Sequence, residues 1–436
     1  MHATRRRLLA ATAALGTAAL LPGPLRAAPA LLPPAKRGRV AIVGGGWGGL
    51  AAARRLRELA PELEVVLLER NDAFWSLPLT NRWLADRLDG RLLRHDYAAA
   101  ARAFGYTVLR SEVTAVDRER RELRTADGAL AYDWLILAVG IRDDYRAWFG
   151  DDARPAAEAR QQFGSAWQAG EQQALKARLE RFAGGDFVIT VPPMPYRCPP
   201  APFERACMIA TLFRQKNLKA RVIVLDPNPM MQGFARVFGG QYRDRVVYVP
   251  QARVQAIDPF AKTVSTDFET FRFDDALLMP PQQAGGLAWQ AGLIGRDVND
   301  AAKASGWAAL DPLTQRSLAD PRVFVVGDMV DRASQLFGHY PKTGQMAARQ
   351  GQIAAAQIAA EAQGKEAPRR LPDSTCYVLA GAEPMEMMRI ETRYRVRGDG
   401  LIMQMVQQHY DAQPRDEDVA WAKGMFAELL GPAAAG

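Results

Sequence analysis

The sequence predicts an α/β protein, and three stretches make that prediction. Arg39-Val40-Ala41-Ile42-Val43 is an apolar run of buried-strand length that meets Gly44-Gly45-Gly46-Trp47-Gly48-Gly49 and then an Ala-rich helix start. Glu64-Val65-Val66-Leu67-Leu68-Glu69 is a second such run, ending on an acid. Far downstream, Arg322-Val323-Phe324-Val325-Val326 repeats the strand-then-turn shape and ends in Gly327-Asp328. Strand, glycines, helix and strand in register are the signature of a parallel βαβ unit.

Each glycine has a physical task. Gly44 makes the tight turn, Gly46 lets the backbone approach a pyrophosphate, and Gly49 permits close packing of helix on strand. The helix N-terminus then turns unpaired N–H groups and a positive dipole end toward the phosphates. Glu69 lies about 20 residues further on, where a ribose hydroxyl needs an acceptor. The first unit is therefore a dinucleotide site.

A chain of 436 residues can bury two or three cores. Apolar residues make up 48% of it, as in an ordinary globular body. The formal charge is +8, but Arg5, Arg6, Arg7 and Arg26 fall in a leader, which leaves a balance too mild for nucleic acid. That leader carries Thr4-Arg5-Arg6-Arg7, a mild apolar segment through Leu21 and small residues near Ala27-Ala28. It reads as a twin-Arg export signal over residues 1–28, with the mature chain beginning near Ala28 in the periplasm. The apolar run is too short to span a bilayer, so no integral membrane anchor is expected. Residues 29–37 read as a linker.

Residues 38–150 form the first unit. Asn71 to Arg91 reads as loop and helix, and Thr107–Val116 with Glu122–Ala126 as a group of strands. Tyr132 to Val139 is a strand returning beside the nucleotide, its end at Ala138-Val139-Gly140. Residues 151–290 carry a second α/β unit: a helical span from Arg154 to Arg181, a strand at Asp186–Val191, a helix at Phe203–Lys216 and a strand at Ala220–Asp226. After Asp328, Tyr340-Pro341-Lys342-Thr343-Gly344 opens a helix running to about Ala362, within a second part of the first unit (291–370). Its N-terminal end, with Lys342 and Thr343, suits a site where negative charge gathers. Residues 371–436 form a smaller α+β region with strands at Met388–Val396 and Leu401–Val406. A final amphipathic helix, Asp416–Leu430, should pack against the body through Val419, Trp421, Phe426, Leu429 and Leu430.

This layout resembles that of two-dinucleotide-fold flavoproteins: two Rossmann-like domains of the glutathione-reductase type, the FAD domain split by an insert. The resemblance implies FAD at the first site, with Asp328 reaching its ribityl chain. The second unit departs from the pattern. Where a nicotinamide domain has its glycines, the chain reads Pro192-Pro193-Met194-Pro195-Tyr196-Arg197-Cys198-Pro199-Pro200. Prolines offer no N–H donor and prevent the close approach to a pyrophosphate, so NAD(P)H is not expected there.

Only three cysteines occur. Cys198 precedes a helix whose dipole would lower its pKa, beside Arg197 and close to Glu204. Cys207 reads as a buried structural thiol in an apolar helix. Cys198 with Cys376 has two readings, a structural staple or a redox-active pair, and spacing does not choose between them. Glu204 is either a proton-handling group or a plain acid of the first helical turn.

The stretches Pro195 to Ala206, Pro280 to Gly285, Gly327-Asp328, Pro341 to Gly344 and Ser374 to Tyr377 are similar to the flavoprotein subunit of flavocytochrome c sulfide dehydrogenase. The sulfur-oxidation (Sox) flavoprotein belongs to the same group, and the sulfide:quinone oxidoreductases are more distant relatives. The resemblance implies that Cys198 and Cys376 are a redox-active disulfide above the flavin. It also implies that the substrate is a small inorganic sulfur compound and that electrons leave through a c-type cytochrome, either a subunit or a soluble partner. The alternatives it leaves are quinone reduction at a membrane and maintenance of a sulfur-carrier protein. Family flavocytochromes attach FAD through a cysteine in the loop after the second strand; here Leu77 stands at that position, so non-covalent FAD is expected. No C-x-x-C-H haem motif occurs, and His2, His95, His339 and His409 are too scattered to be a metal cluster. His339 reads as a solvent-facing loop residue.

Overall fold

The computed structural model describes residues 28–435, apart from Gln335 and Phe337. The expected export leader falls, except for its last residue, outside them. Strand β1 (Arg39–Val43) feeds helix α1 (Trp47–Leu59), and the chain returns through β2 (Glu64–Glu69), β3 (Thr107–Arg110) and β4 (Trp134–Leu137). The central segment contributes β5 (Gly185–Thr190), α2 (Ala201–Gln215), β6 (Ala220–Asp226), β7 (Val246–Pro250) and β8 (Asp275–Leu278). Then come β9 (Val323–Val325) and α3 (Gly344–Ala362). The chain ends in β10 (Ser374–Ala382), β11 (Met385–Val396), β12 (Ile402–Asp411) and α4 (Glu417–Leu430).

Two parallel sheets result. The first runs β9-β4-β1-β2-β3 and takes strands from both sides of the central segment. The second runs β7-β6-β5-β8. β1, β4 and β9 are buried along their whole length, which is why they read as continuous apolar runs rather than alternating ones. Short strands Ile141–Asp143 and Gln282–Ala284 pair antiparallel where the chain passes between the two sheets. The last unit is an antiparallel sheet, β10-β11-β12, closed by α4. The fold is the predicted pair of Rossmann-like units.

Helices α1 and α3 cross on glycine. A Cβ on Gly351 would lie 2.1 Å from the Gly48 carbonyl oxygen, and one on Gly344 would lie 3.0 Å from the Trp47 ring. Close approach of the two helices carries both N-termini toward the same edge of the first sheet.

Several expectations need correction. The helical span predicted from Arg154 to Arg181 is two helices, Ala153–Phe163 and Ala169–Arg181. Between them Ala166 takes φ +56°, and the Glu171 carboxylate accepts the N–H groups of Trp167 and Gln168, which restarts the helix. The strand group after Thr107 is divided. Thr107–Arg110 joins the first sheet, whereas Val113–Asp117, Glu122–Thr125 and Ala129–Ala131 form a separate antiparallel sheet. The loop after β2 also contains a short hairpin, Ala73–Trp75 with Arg94–Asp96, and a helix, Tyr97–Phe104. The segment expected as a linker is seated on the body: Leu31 donates its N–H to Ala129 O at 2.8 Å, and Leu31 and Leu32 pack on the core. Helix α4 packs as predicted, but Ala422 and Met425 share its buried face with Phe426, Leu429 and Leu430, while Val419 and Trp421 are only half-buried.

Candidate functional site

A cavity of about 820 Å³ opens at the C-terminal ends of β1, β2 and β4, and all three parts of the chain wall it. Its floor is the turn after β1. Gly44 holds φ +101°, and a Cβ there would sit 2.4 Å from Ala138 O. A Cβ on Gly49 would lie 2.0 Å from Gly44 O. These two glycines are required by packing. Gly46 differs: a Cβ there meets nothing within 4 Å, so its missing side chain leaves room rather than avoiding a clash. The first intrahelical bond of α1 is Leu50 N–H to Gly46 O, at 3.0 Å, and the amides of Trp47, Gly48 and Gly49 come before it. Glu69 closes the far side, accepting Gly45 N–H at 2.6 Å on one oxygen and Asn71 N–H at 2.8 Å on the other.

These residues fit FAD. The open wedge over Gly46 and the amides of α1 would hold a pyrophosphate, Glu69 stands where a ribose acceptor is needed, and Ala138 and Gly140 line the wall next to them. Thr343 caps α3 by accepting Met346 N–H at 3.3 Å, so a second helix N-terminus ends in the same cavity. Leu77, where a covalent link would be made in the resembling family, also lines it.

Two cysteines meet in the wall. The Cys198 side chain, in the loop before α2, lies beside that of Cys376 on β10, and both are free thiols lining the cavity. The Cys198 N–H donates to Lys342 O at 2.9 Å, which stitches the cysteine loop to the turn before α3. Cys207 is fully buried among apolar neighbours, as expected. The expected low pKa at Cys198 is overturned. The neighbouring Cys376 thiol and burial, with Glu204 and Asp328 adding negative charge, push its thiol well above the usual range. A helix N-terminus does not outweigh those effects.

Glu204, in the first turn of α2, faces the cavity near Cys198. Its Oε1 accepts Leu379 N–H at 3.0 Å and its Oε2 accepts the Asn81 amide at 2.7 Å. Burial nevertheless raises its carboxyl to about 7, where a carboxyl can exchange protons at neutral pH. Arg205 beside it is fully buried, its guanidinium 5.2 Å from the Trp167 ring centroid.

Asp328 lines the cavity, as its expected role requires, and Lys342 is placed differently from expectation. Asp328 Oδ2 accepts Arg197 Nε at 2.6 Å, a half-buried ion pair in the cavity wall. The Lys342 ammonium is not free at the helix end. It donates to the carbonyls of Asp328 and Val330 at 2.8 and 2.9 Å and lies 3.6 Å from the Trp307 ring centroid. Burial lowers its pKa to about 7, against the attraction of Asp328 and Asp331. His339 is half-buried rather than solvent-facing, and burial with Lys342 and Arg332 nearby lowers it to about 3. Sequence reasoning missed Asn81, Arg205 as a cavity residue, and the Arg197–Asp328 pair. An arginine on the apolar run of α2 was the one available signal.

In the second sheet, the proline turn after β5 is tied to the end of β6. Asp226, at the end of β6, accepts both Asn228 N–H groups at 2.9 Å and the Tyr248 hydroxyl at 3.0 Å. Asn228 also donates to Pro192 O and accepts Met194 N–H, each at 2.9 Å, which fastens the proline turn to β6. Among the described residues no cluster of metal-ligating side chains occurs. No helix among them is long and apolar enough to cross a membrane.

Comparison with known proteins agrees with this geometry. Residues 172–280 match the central region of the sulfide dehydrogenase (flavocytochrome c) flavoprotein chain, and residues 38–167 match pyridine nucleotide-disulphide oxidoreductases. The chain is 46% identical over 43 residues to the sulfide dehydrogenase (flavocytochrome c) flavoprotein chain of Chlorobaculum thiosulfatiphilum, covering 10% of this chain and 90% of that sequence. It is 23% identical over 310 residues to the mitochondrial sulfide:quinone oxidoreductase of Mus musculus, covering 66% of this chain and 65% of that one. A demethylphylloquinone reductase, NdbB, of Synechocystis is 29% identical over 113 residues, 24% of this chain and 28% of that protein's length. The chain thus spans less than two thirds of these last two relatives. Among solved structures, the sulfide:quinone oxidoreductase of Aquifex aeolicus superposes with a TM-score of 0.71 at 17% identity, over 91% of this chain and 92% of that one. The chain belongs to the sulfide dehydrogenase and sulfide:quinone oxidoreductase type of flavoprotein.

Proposed function

We propose that the protein is an FAD-dependent sulfide dehydrogenase that oxidises hydrosulfide through a Cys198–Cys376 disulfide and delivers the electrons to a c-type cytochrome. The observation that carries this reading is the contact of the two thiols in the wall of the glycine-floored cavity. Hydrosulfide attacks the oxidised pair at Cys198; an S–S bond to the incoming sulfur forms as the protein's own S–S bond breaks. Cys198 then carries a persulfide and Cys376 leaves as a thiolate holding the bond's electron pair. Bound FAD supplies acceptance of two electrons and their release one at a time. Glu204 takes or returns the proton at Cys198, and the N-terminal end of α3 favours negative charge in the cavity. The proline turn, fastened to β6 through Asn228, supports an acceptor other than a nicotinamide.

The twin-Arg pattern supports export of the folded holoprotein to the periplasm. Mass spectrometry of native material should then find an N-terminus near Ala28. Likeness to sulfide:quinone oxidoreductases favours a second reading, with quinone as acceptor. Anaerobic titration with sulfide, following the flavin spectrum with cytochrome c or with a soluble quinone, tests both. Flavin reduction by sulfide and reoxidation by cytochrome c are expected. Wild-type rates in Cys198→Ser or Cys376→Ser would refute the disulfide step.

A further inference from the structure

Glu204 is held by a residue that no catalytic role has yet absorbed. The short helix Thr80–Leu84 starts after Leu79, whose φ is +72°, and Thr80 Oγ1 bonds back to Leu77 O at 2.7 Å. That turn drives Asn81 inward, to 5% exposure. Its Oδ1 accepts Arg205 Nε at 3.0 Å, and its Nδ2 donates to Glu204 Oε2 at 2.7 Å. A guanidinium only donates, so the amide has one allowed orientation, with its NH₂ toward Glu204. Arg205 is itself fixed, by its bond to Ser165 O at 3.3 Å and by Trp167. The second Glu204 oxygen is held from β10 by Leu379 N–H, two residues along the sequence from Tyr377 and three from Cys376.

We propose that Asn81 is a positioning residue for Glu204: locked from behind by Arg205, it fixes the carboxyl toward the cysteine pair and sets the pH at which that carboxyl gives up its proton. The proposal rests on the proton role given to Glu204 above. A donor aimed at the carboxylate favours the ionised form, opposing the burial that raises it. Other groups facing Glu204 are Arg205, Cys198 and Cys207 on its own segment, and Asp418 on α4, which is paired with Arg82 of the Asn81 helix at 2.8 Å. None of them contacts the carboxyl oxygens by a hydrogen bond; only Asn81 and Leu379 do so among the described residues.

The test reads Glu204 directly. Infrared titration of the carboxyl band in the reduced holoprotein, with Glu204→Gln as the blank, should give a wild-type midpoint near neutral pH. Asn81→Leu removes the donor, and Asn81→Asp keeps the size and the Arg205 contact but presents an acceptor. Both should raise the midpoint by about one pH unit or more. The pH profile of sulfide-dependent flavin reduction should move by the same amount. A folded variant of either kind whose midpoint stays at the wild-type value overturns the proposal, and Asn81→Asp decides it if Asn81→Leu does not fold. A wild-type pH profile in Glu204→Gln would overturn something else, the proton role of Glu204 itself.

Discussion

Gly46 and Gly49 lie three residues apart in one motif, yet the structure gives them opposite sensitivities. Gly49→Ala would put a methyl group 2.0 Å from the Gly44 carbonyl oxygen, a backbone atom that moves only if α1 lifts off β1. Overpacking of this kind costs about 1–3 kcal/mol, and more where backbone is the obstacle. Gly46→Ala meets no atom, and Gly46 has φ −74° and ψ −172°, extended backbone open to any residue. The apoprotein should therefore change by no more than about 0.5 kcal/mol, the scale of an uncrowded substitution. The added methyl instead occupies the wedge where the pyrophosphate must approach the α1 amides. Displacing one charge-assisted hydrogen bond there costs about 1.5–3 kcal/mol, or about 10- to 150-fold in FAD affinity. Thermal melts of flavin-stripped protein and fluorescence titration with FAD separate the two effects. Gly49→Ala should melt early; Gly46→Ala should melt like wild type and bind FAD weakly. Wild-type FAD affinity in Gly46→Ala would refute the placement of the phosphates.

Three further outcomes follow from the site. The Glu204 carboxyl, raised by burial to about 7, binds its proton more tightly folded than unfolded. Its contribution to stability is present below the unfolded value near 4.5 and is lost as pH rises to about 7. That amounts to about 3 kcal/mol in order of magnitude; Glu204→Gln should flatten the fall in melting temperature between those pH values, and an unchanged slope would contradict the buried carboxyl. With Leu77 at the linking position, acid precipitation should leave a colourless pellet and yellow supernatant. Rapid mixing with NADH or NADPH should leave the flavin oxidised on the timescale of sulfide reduction, since Pro192, Pro193 and Pro195 stand where a pyrophosphate needs glycines.

The dinucleotide floor was legible because its determinants are local: Gly44, Gly49 and the flanking strands act within one βαβ unit. The helix from Gly344 to Ala362 was legible for the same reason, with its Thr343 cap next to it. The meeting of Cys198 and Cys376 was not, since three-dimensional closure of the last sheet onto α2 decides it; only family resemblance pointed there. The break at residues 164–168 was hidden by good helix formers on both sides, although the Gln168-to-Glu171 spacing marks a helix start. Cys198 and Lys342 were misjudged in the same way. A dipole or a charge is readable in a sequence, but burial and carbonyl partners that outweigh it are not.

The backbone bond from Cys198 to Lys342, together with the placement of Cys376 on β10, means that the cysteine pair belongs to no single folding unit. The protein consequently has no seam along which it could be cut into working modules. A fragment ending before Ser374 would keep the glycine floor yet lose one sulfur, the Leu379 anchor of Glu204 and one wall of the chamber.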